Sequence, residues 1–455
     1  MEFFYLFLVV FLFVLAIVDL SVGVSNDAVN FLNAAIGSKA ASFKVIILIA
    51  AMGVFVGAAL SNGMMDIARH GIYQPQHFYF SEIMCILAAV MLTDVVLLDI
   101  FNSLGMPTST TVSMVFELVG GTVAIALVKI ASSSGLYQLG DLLNTEKAFT
   151  VILGIFLSVA IAFFFGTLVQ YLSRLLFSFN YKKTSKYFIG VYAGLAATSI
   201  IYFMLIKGLK GSSFMTAEMN DFIHTYTSTI LVGCMIFFTV LMQVLHLLKV
   251  NVFKIVILMG TFALALAFAG NDLVNFIGVP LAGYSAYMDL MAQGETATPD
   301  SFLMTSLLES AKTPWYFLLG SGAVMVWALC TSKKAQNVVK TSLDLSRQSD
   351  GEEMFGTSPV ARVLVRHCSS ISAIILNIVP DSAKKWIDSR FNQDEMIMEE
   401  KASFDLVRAS VNVVLSGLLI AVGTSLKLPL STTYVAFMVA MGTSLADRAW
   451  GRESA

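Results

Sequence analysis

The sequence predicts an all-α polytopic membrane protein of about 11 spans, with inverted-topology repeats whose broken helices meet at a midplane site. Three observations carry that expectation. The 455 residues are 57% hydrophobic and only 13% charged, against about 45–50% and about 25% in soluble domains. Apolar stretches of roughly 20 residues, each long enough to cross a bilayer, recur along the whole chain. Two polar motifs also recur inside or at the ends of those stretches. VSNDAVNF at 24–31 returns as AGNDLVNF at 269–276, and STT at 109–111 returns at 431–433.

Read by hydropathy, the spans lie near 3–36, 43–62, 79–103, 107–130, 148–180, 187–206, 226–248, 253–285, 314–330, 405–425 and 430–447. Helices are the expected spanning element, because backbone groups in lipid must pair within their own segment. The first stretch, MEFFYLFLVVFLFVLAIVDL, carries Glu2, no positive leading region and no small-residue cleavage site. It reads as a retained span rather than a signal peptide. Residues 331–400 have mixed polar character, including LDLSRQSDGEEMFGTSP and DSRFNQDEMIMEE, and read as a cytoplasmic insert with amphipathic helices. The expected organisation is 1–180 as a first repeat and 181–250 as connecting transmembrane helices. Residues 251–330 begin a second repeat, 331–400 form the insert, and 401–455 complete the second repeat. By repeat logic a counterpart of span 148–180 should follow the last helix, so truncation is the expectation for the end at DRAWGRESA.

Loop charges set the orientation. NYKKTSK at 180–186, KVNVFK at 249–254 and the insert carry the lysines and arginines, whereas 63–78, 131–147 and 286–313 are poor in both. With the basic loops in the cytoplasm, the spans alternate consistently, the N-terminus lies outside and the insert inside. The two ND-bearing spans then run antiparallel. VLLDIFNSLGMPTSTT at 96–111 aligns without gaps, at an offset of 322, to the segment ending LKLPLSTT at 426–433. These two are antiparallel by the same count. Such an inverted repeat is the signature of a secondary transporter.

Composition also excludes alternatives. A formal net charge of −2 speaks against a nucleic-acid partner. Cys85, Cys234, Cys330 and Cys368 are isolated, which leaves neither a zinc cluster nor a disulfide framework. No activated nucleophile, metal cluster or nucleotide motif supports an enzyme.

The repeated motifs suggest a chemistry. In NDxVN the two Asn residues are four apart and share a helix face. Gly23 and Gly270 precede the motifs and favour a break there, which would bring carbonyl, Asn and Asp oxygens together as a site for a small alkali cation. A buried carboxylate needs a partner, and neither ND span contains Lys or Arg. A cation or a proton fills that role. The other reading is that these Asn and Asp side chains only bind helices together. Pro followed by hydroxyl residues and an apolar run reads as a helix N-terminus, whose free N–H groups and dipole favour an anion. Ordinary N-capping is the alternative. Two such ends facing two aspartates would suit a protonated oxyanion, whose O–H can donate to a carboxylate. Phosphate carries such a group near neutral pH and sulfate does not. Asp19, Asp94, Asp99 and Glu117 are further ionisable residues inside apolar segments, with pathway, structural and gating roles all open.

GVSNDAVNFLNAAIGSKA and FAGNDLVNFIGVPLAGYSA resemble the two signatures of the inorganic phosphate transporter (PiT) family, and GMPTSTT and KLPLSTT resemble its PVSTTH elements. The resemblance covers most of the chain in the right order. It implies cation-coupled phosphate symport, commonly by a homodimer, at the cytoplasmic membrane. By that analogy Asn26, Asp27, Asn30, Asn271, Asp272 and Asn275 would hold Na+, with H+ as the alternative coupling ion. Ser109, Thr110, Thr111, Ser431, Thr432 and Thr433, with Asp27 and Asp272, would hold phosphate. Three features depart from the family pattern. Val24 and Ser25 stand where Ala is usual, Val112 and Tyr434 follow the STT triplets where His is common, and LIAAMGVFVGAAL at 48–60 has no carboxylate. Transport of another oxyanion such as sulfate, an anion channel and a transporter-like phosphate sensor are the competing readings.

Overall fold

The computed structural model describes residues 2–61, 67–133, 136–202, 216–294, 297–309, 313–348, 366, 380–426, 428 and 430–449. Cys368, Pro429 and the middle of the expected insert lie outside the described residues. Helices dominate. They are α1 (Glu2–Gly37), α2 (Phe43–Leu60), α3 (Phe80–Leu104), α4 (Thr110–Ser132), α5 (Leu139–Leu142), α6 (Thr145–Phe177) and α7 (Lys182–Ile201). Then come α8 (Ala217–Leu247), α9 (Val252–Ala292), α10 (Trp315–Thr331), α11 (Lys334–Ser346), α12 (Asp381–Arg390), α13 (Leu406–Ser425) and α14 (Thr432–Ala446). The β structure among the described residues is two isolated bridges, Tyr73 with Leu143 and Tyr79 with Leu303.

Eight of these helices are long and apolar enough to cross a membrane. The other three segments expected to span are also helices. α7 falls outside those eight, α14 has only 15 residues, and α10 has 17 and meets α11 at a bend of 70°. The chain is a multi-pass membrane protein. α13 and α9 lie deepest, with 72% and 67% of their apolar windows buried against 6% for α8. The first two therefore form the core and α8 presents apolar surface outward.

The helix breaks are not where the glycines suggested. α1 and α9 run unbroken through both ND motifs, and the chain breaks instead between α3 and α4 and between α13 and α14, just before the STT helices. Gly23 has a packing role: a Cβ there would lie 2.1 Å from the Phe276 ring. Leu12 meets Gly283 and Phe31 meets Phe268, so numbering rises along α1 as it falls along α9. The two ND helices are antiparallel neighbours, and their polar residues are met by hairpin tips instead of by unwinding. At the first tip Gly105 takes a positive φ of 67°, the left-handed C-cap that Gly adopts without steric cost.

Close helix crossings hold the bundle, as expected where lipid offers no hydrophobic drive between helices. On α2, Gly53 and Gly57 bring the helix against the α9 backbone. A Cβ on Gly57 would lie 2.4 Å from the Leu266 carbonyl oxygen. Gly57→Leu should therefore force the two backbones apart. The expected cost is about 1–3 kcal/mol or more, read as a lower melting temperature and loss of the monodisperse peak in detergent.

The described part of the expected insert includes α11 and α12. α11 buries Ala335, Val338, Val339 and Ser342, and Asn33 on α1 donates to Ser342 at 2.9 Å. This amphipathic helix lies against the end of α1.

Candidate functional site

The site is built where the α3–α4 and α13–α14 tips meet the middle of the α1–α9 pair. Each STT triplet starts a helix. Ser109 caps α4 by accepting the Val112 N–H, and Ser431 caps α14 by accepting the Tyr434 N–H. The next two threonines of each triplet point to the aspartates.

Asp27 accepts from Thr110 at 2.9 Å and from Thr433 at 2.9 Å. Asp272 accepts from Thr111 at 3.1 Å and from Thr432. Each carboxylate thus takes one hydroxyl from the tip of its own half and one from the other. The amides repeat the pattern. Asn30 donates to Thr433 at 3.0 Å, and Asn275 donates to Thr111 at 3.0 Å and to Thr110 at 3.2 Å. Two chains of amide to hydroxyl to carboxylate result, Asn30–Thr433–Asp27 and Asn275–Thr111–Asp272. Asp27, Asp272, Thr110, Thr111, Thr432 and Thr433 are all buried, with neither aspartate exposed at all.

Asn26 and Asn271, expected as cation ligands, hydrogen-bond to the hairpin tips. Asn26 Oδ1 accepts the Thr108 N–H at 2.8 Å, and its Nδ2 donates to Asn102 at 2.8 Å and to the Met106 carbonyl at 3.1 Å. Asn271 donates to the Leu430 carbonyl at 3.0 Å and accepts from Thr424 at 3.2 Å. These two residues hold the tips in place. Asn102 and Thr424 stand at the same offset of 322 as the STT triplets, and sequence reading missed both. Their polarity within apolar helices, just before each Pro-containing turn, was the signal available.

Electrostatics leaves an imbalance at the centre. Neither Asp27 nor Asp272 forms an ion pair among the described residues; the buried pairs there are Arg174 with Asp405 and with Asp447. Asn275 Oδ1 is buried without a donor. Two carboxylates and one unpartnered amide oxygen are hard ligands that fit a small alkali cation. Asn30 and Thr433 line a narrow crevice of about 20 Å³ together with Asn33, Ser342, Asn412 and Ser416.

A buried ionic knot joins α6 to α13 and α14. Arg174 on α6 reaches Asp405, the N-cap of α13, at 2.8 Å and Asp447, the C-cap of α14, at 2.6 Å. It also stacks on Phe179 at 3.9 Å. Arg408 donates to the Ser346 carbonyl at 2.7 Å and to Gln348 at 3.0 Å. Arg174 was also missed, although an arginine inside an apolar helix is itself a signal. Of the other acidic residues noted in the sequence, Asp99 is exposed and paired with Lys334 at 2.6 Å. Asp19, Asp94 and Glu117 group together beside the first turn of α4.

Comparisons with known proteins bear on the family and the fold. A "putative phosphate permease" of Thermococcus kodakarensis is 26% identical over 283 residues, covering 60% of this chain and 66% of that protein. Another from Pyrococcus horikoshii is 28% identical over 266 residues, covering 57% and 63%. The chain thus matches just under two thirds of the length of these relatives. A solved structure described as "The sodium-dependent phosphate transporter" superposes with a TM-score of 0.64 over 96% of this chain and 90% of the other. At 16% identity that likeness is one of fold. The profile of the phosphate transporter family matches residues 23–341, which takes in both ND motifs and the first STT tip, and the chain belongs to that family.

Proposed function

We propose that this protein is a cation-coupled symporter of inorganic phosphate, with Na+ as the coupling ion, working by alternating access across the cytoplasmic membrane. The observation that carries this reading is the reciprocal bonding of four threonine hydroxyls onto two buried carboxylates that no cationic side chain neutralises. In such a site Thr110, Thr111, Thr432 and Thr433 turn their hydroxyl donors from the aspartates to phosphate oxygens. The N-termini of α4 and α14 add dipole stabilisation from the two sides. Ser109 and Ser431 hold those helix ends and can donate their own hydroxyl protons. Asp27 and Asp272 accept the O–H of a protonated phosphate or ligate Na+ together with Asn275 Oδ1. Asn26, Asn30 and Asn271 fix the surrounding geometry.

The positive-inside pattern puts the N-terminus outside and α11 in the cytoplasm, so the crevice beside Asn30 leads to the cytoplasmic side. Alternating access then consists of the two tips changing their seating on the α1–α9 pair, and a homodimer is the assembly proposed.

Uptake of radiolabelled phosphate into proteoliposomes tests the reading. An inward Na+ gradient should drive accumulation, and unlabelled phosphate should compete where equal sulfate does not. Uptake that follows a pH gradient and ignores Na+ overturns the sodium assignment. Conductance far above carrier turnover, or binding without flux, overturns the carrier itself.

The two-fold exchange gives a sharper expectation. Thr433→Val keeps the shape and removes the hydroxyl that joins Asn30 to Asp27. Hydrogen bonds to charged groups are worth about 1.5–3 kcal/mol, so KM for phosphate should rise roughly tenfold or more. Thr111→Val removes the equivalent hydroxyl and should shift KM by a similar factor, with uptake kinetics as the measurement. A change confined to one of the two would contradict equivalent roles.

A further inference from the structure

Besides the four threonines and two aspartates, the core contains a second polar cluster with unmet chemistry. Asp19 on α1 is 0% exposed and Asp94 on α3 is 1% exposed. Asp19 faces Asp94 and Glu117 of α4, and Asp27 further along α1 adds its negative charge to the group. Neither oxygen of Asp19 meets a protein donor, nor do Asp94 Oδ2 and Glu117 Oε2. Ser113 lies between the last two, with its Oγ 2.5 Å from Asp94 Oδ1 and 2.8 Å from Glu117 Oε1.

Proton counting decides what this cluster holds. A serine hydroxyl has one hydrogen and can donate to one carboxylate. Two carboxylate oxygens at hydrogen-bond distance from one hydroxyl require a second proton, carried on a carboxyl that donates to Ser113 Oγ. The contact of Asp19 with Asp94 has the same need, since ionised carboxylates only accept.

Among the described residues, no cationic side chain nearby supplies positive charge instead. α1, α3 and α4 contain one cationic residue, Lys129, and it is bonded to Glu82 at 2.6 Å. Twelve residues of helix, about 18 Å, separate it from Glu117. Asp99 is taken by Lys334, and α9, packed against this region, brings Asp272 as its buried charge. Among the described residues no group of three or more His, Cys, Asp or Glu is arranged to hold a metal ion. The cluster is also confined to one half. The positions equivalent to Asp19, Asp94, Ser113 and Glu117 in the second half are Leu264, Ser416, Val435 and Val439.

We propose that Asp19, Asp94, Ser113 and Glu117 form a proton-binding site, distinct from the site at Asp27 and Asp272, that ties the α3–α4 hairpin to α1. Protonated, the cluster is a closed hydrogen-bond network and the hairpin stays seated. Loss of protons leaves adjacent buried anions, which repel one another and loosen α1 from the hairpin. Where the symport reading holds, the same cluster makes transport pH-dependent without making protons the driving ion.

Infrared difference spectroscopy on the purified full chain, with neither phosphate nor Na+ present, tests the site apart from transport. The carbonyl stretch of a protonated carboxyl should be present at neutral pH, shift in D2O and diminish on raising pH. It should lose intensity in Asp94→Asn and in Glu117→Gln. Ser113→Ala keeps every carboxyl and should shift the band without removing it, which covers the case in which a carboxyl variant fails to fold. A spectrum without this band at neutral pH overturns the proposal, as does a band unchanged in all three variants. If Na+ added at fixed pH removes the part of the band that Asp94→Asn and Glu117→Gln remove, the site is a cation site and the proton assignment fails. A failure of phosphate uptake leaves this measurement unaffected and counts against the symport reading alone.

Discussion

Asp272→Asn is expected to abolish Na+-driven phosphate uptake, lowering it at least about 100-fold, while the protein still folds and inserts. The substitution is isosteric, so the helix and the packing around it persist. What changes is the charge and the direction of the hydrogen bonds. Asp272 accepts from Thr111, Thr432, Asn271 and Asn275. An amide replaces one accepting oxygen with an NH2 group, which faces donors on at least one side. Each hydrogen bond to a charged acceptor is worth about 1.5–3 kcal/mol, and about 1.4 kcal/mol is a factor of ten. A cation site that loses half its formal charge loses affinity as well. Asp27→Asn should behave alike, because Asp27 receives equivalent hydroxyls from Thr110 and Thr433. Initial rates in proteoliposomes, normalised to protein recovered as a monodisperse peak, are the measurement. Wild-type rates in either variant would falsify the assignment of the central site.

The second large effect is on stability. Arg174→Met should collapse the yield of folded protein, because it leaves two buried carboxylates with no cation. Arg174 is fully buried and satisfies Asp405 with two bonds and Asp447 with two more. Through these it joins α6 to the start of α13 and the end of α14. Removing one member of a buried ionic set costs about 3–5 kcal/mol. The triple variant Arg174→Met, Asp405→Asn, Asp447→Asn should recover a large part of the loss, because it removes the stranded charges together. Thermal melting in detergent compares the two. Equal stability of the single variant and the native protein would show that the knot does not hold these helix ends.

Much of this protein is legible in its sequence because the bilayer constrains it so strongly. Spans show as apolar runs, since backbone groups in lipid must pair within a helix. The recurrence of ND and STT gave the central residues, and the loop charges gave the antiparallel sense that the α1–α9 packing displays. The break point was misplaced for a physical reason. Gly23 looked like a helix breaker in the sequence, but it is a contact surface for Phe276. Local propensity is a small term beside tertiary packing.

Asn26 and Asn271 show how much spacing leaves open. Their type and spacing matched cation ligands, yet their hydrogen bonds go to the hairpin tips. Asn102, Thr424 and Arg174 went unnoticed because each is a single polar residue without a repeated motif to mark it.

The sequence by itself determined the helical, many-span architecture and the polar residues at its centre, because hydropathy and repeated motifs are local signals. Only the tertiary structure decided which hydroxyl meets which carboxylate. Thr433 reaches Asp27 across 406 residues and Thr111 reaches Asp272 across 161. That crossing depends on how two antiparallel hairpins seat on one helix pair, a relation between distant segments that no window of sequence contains.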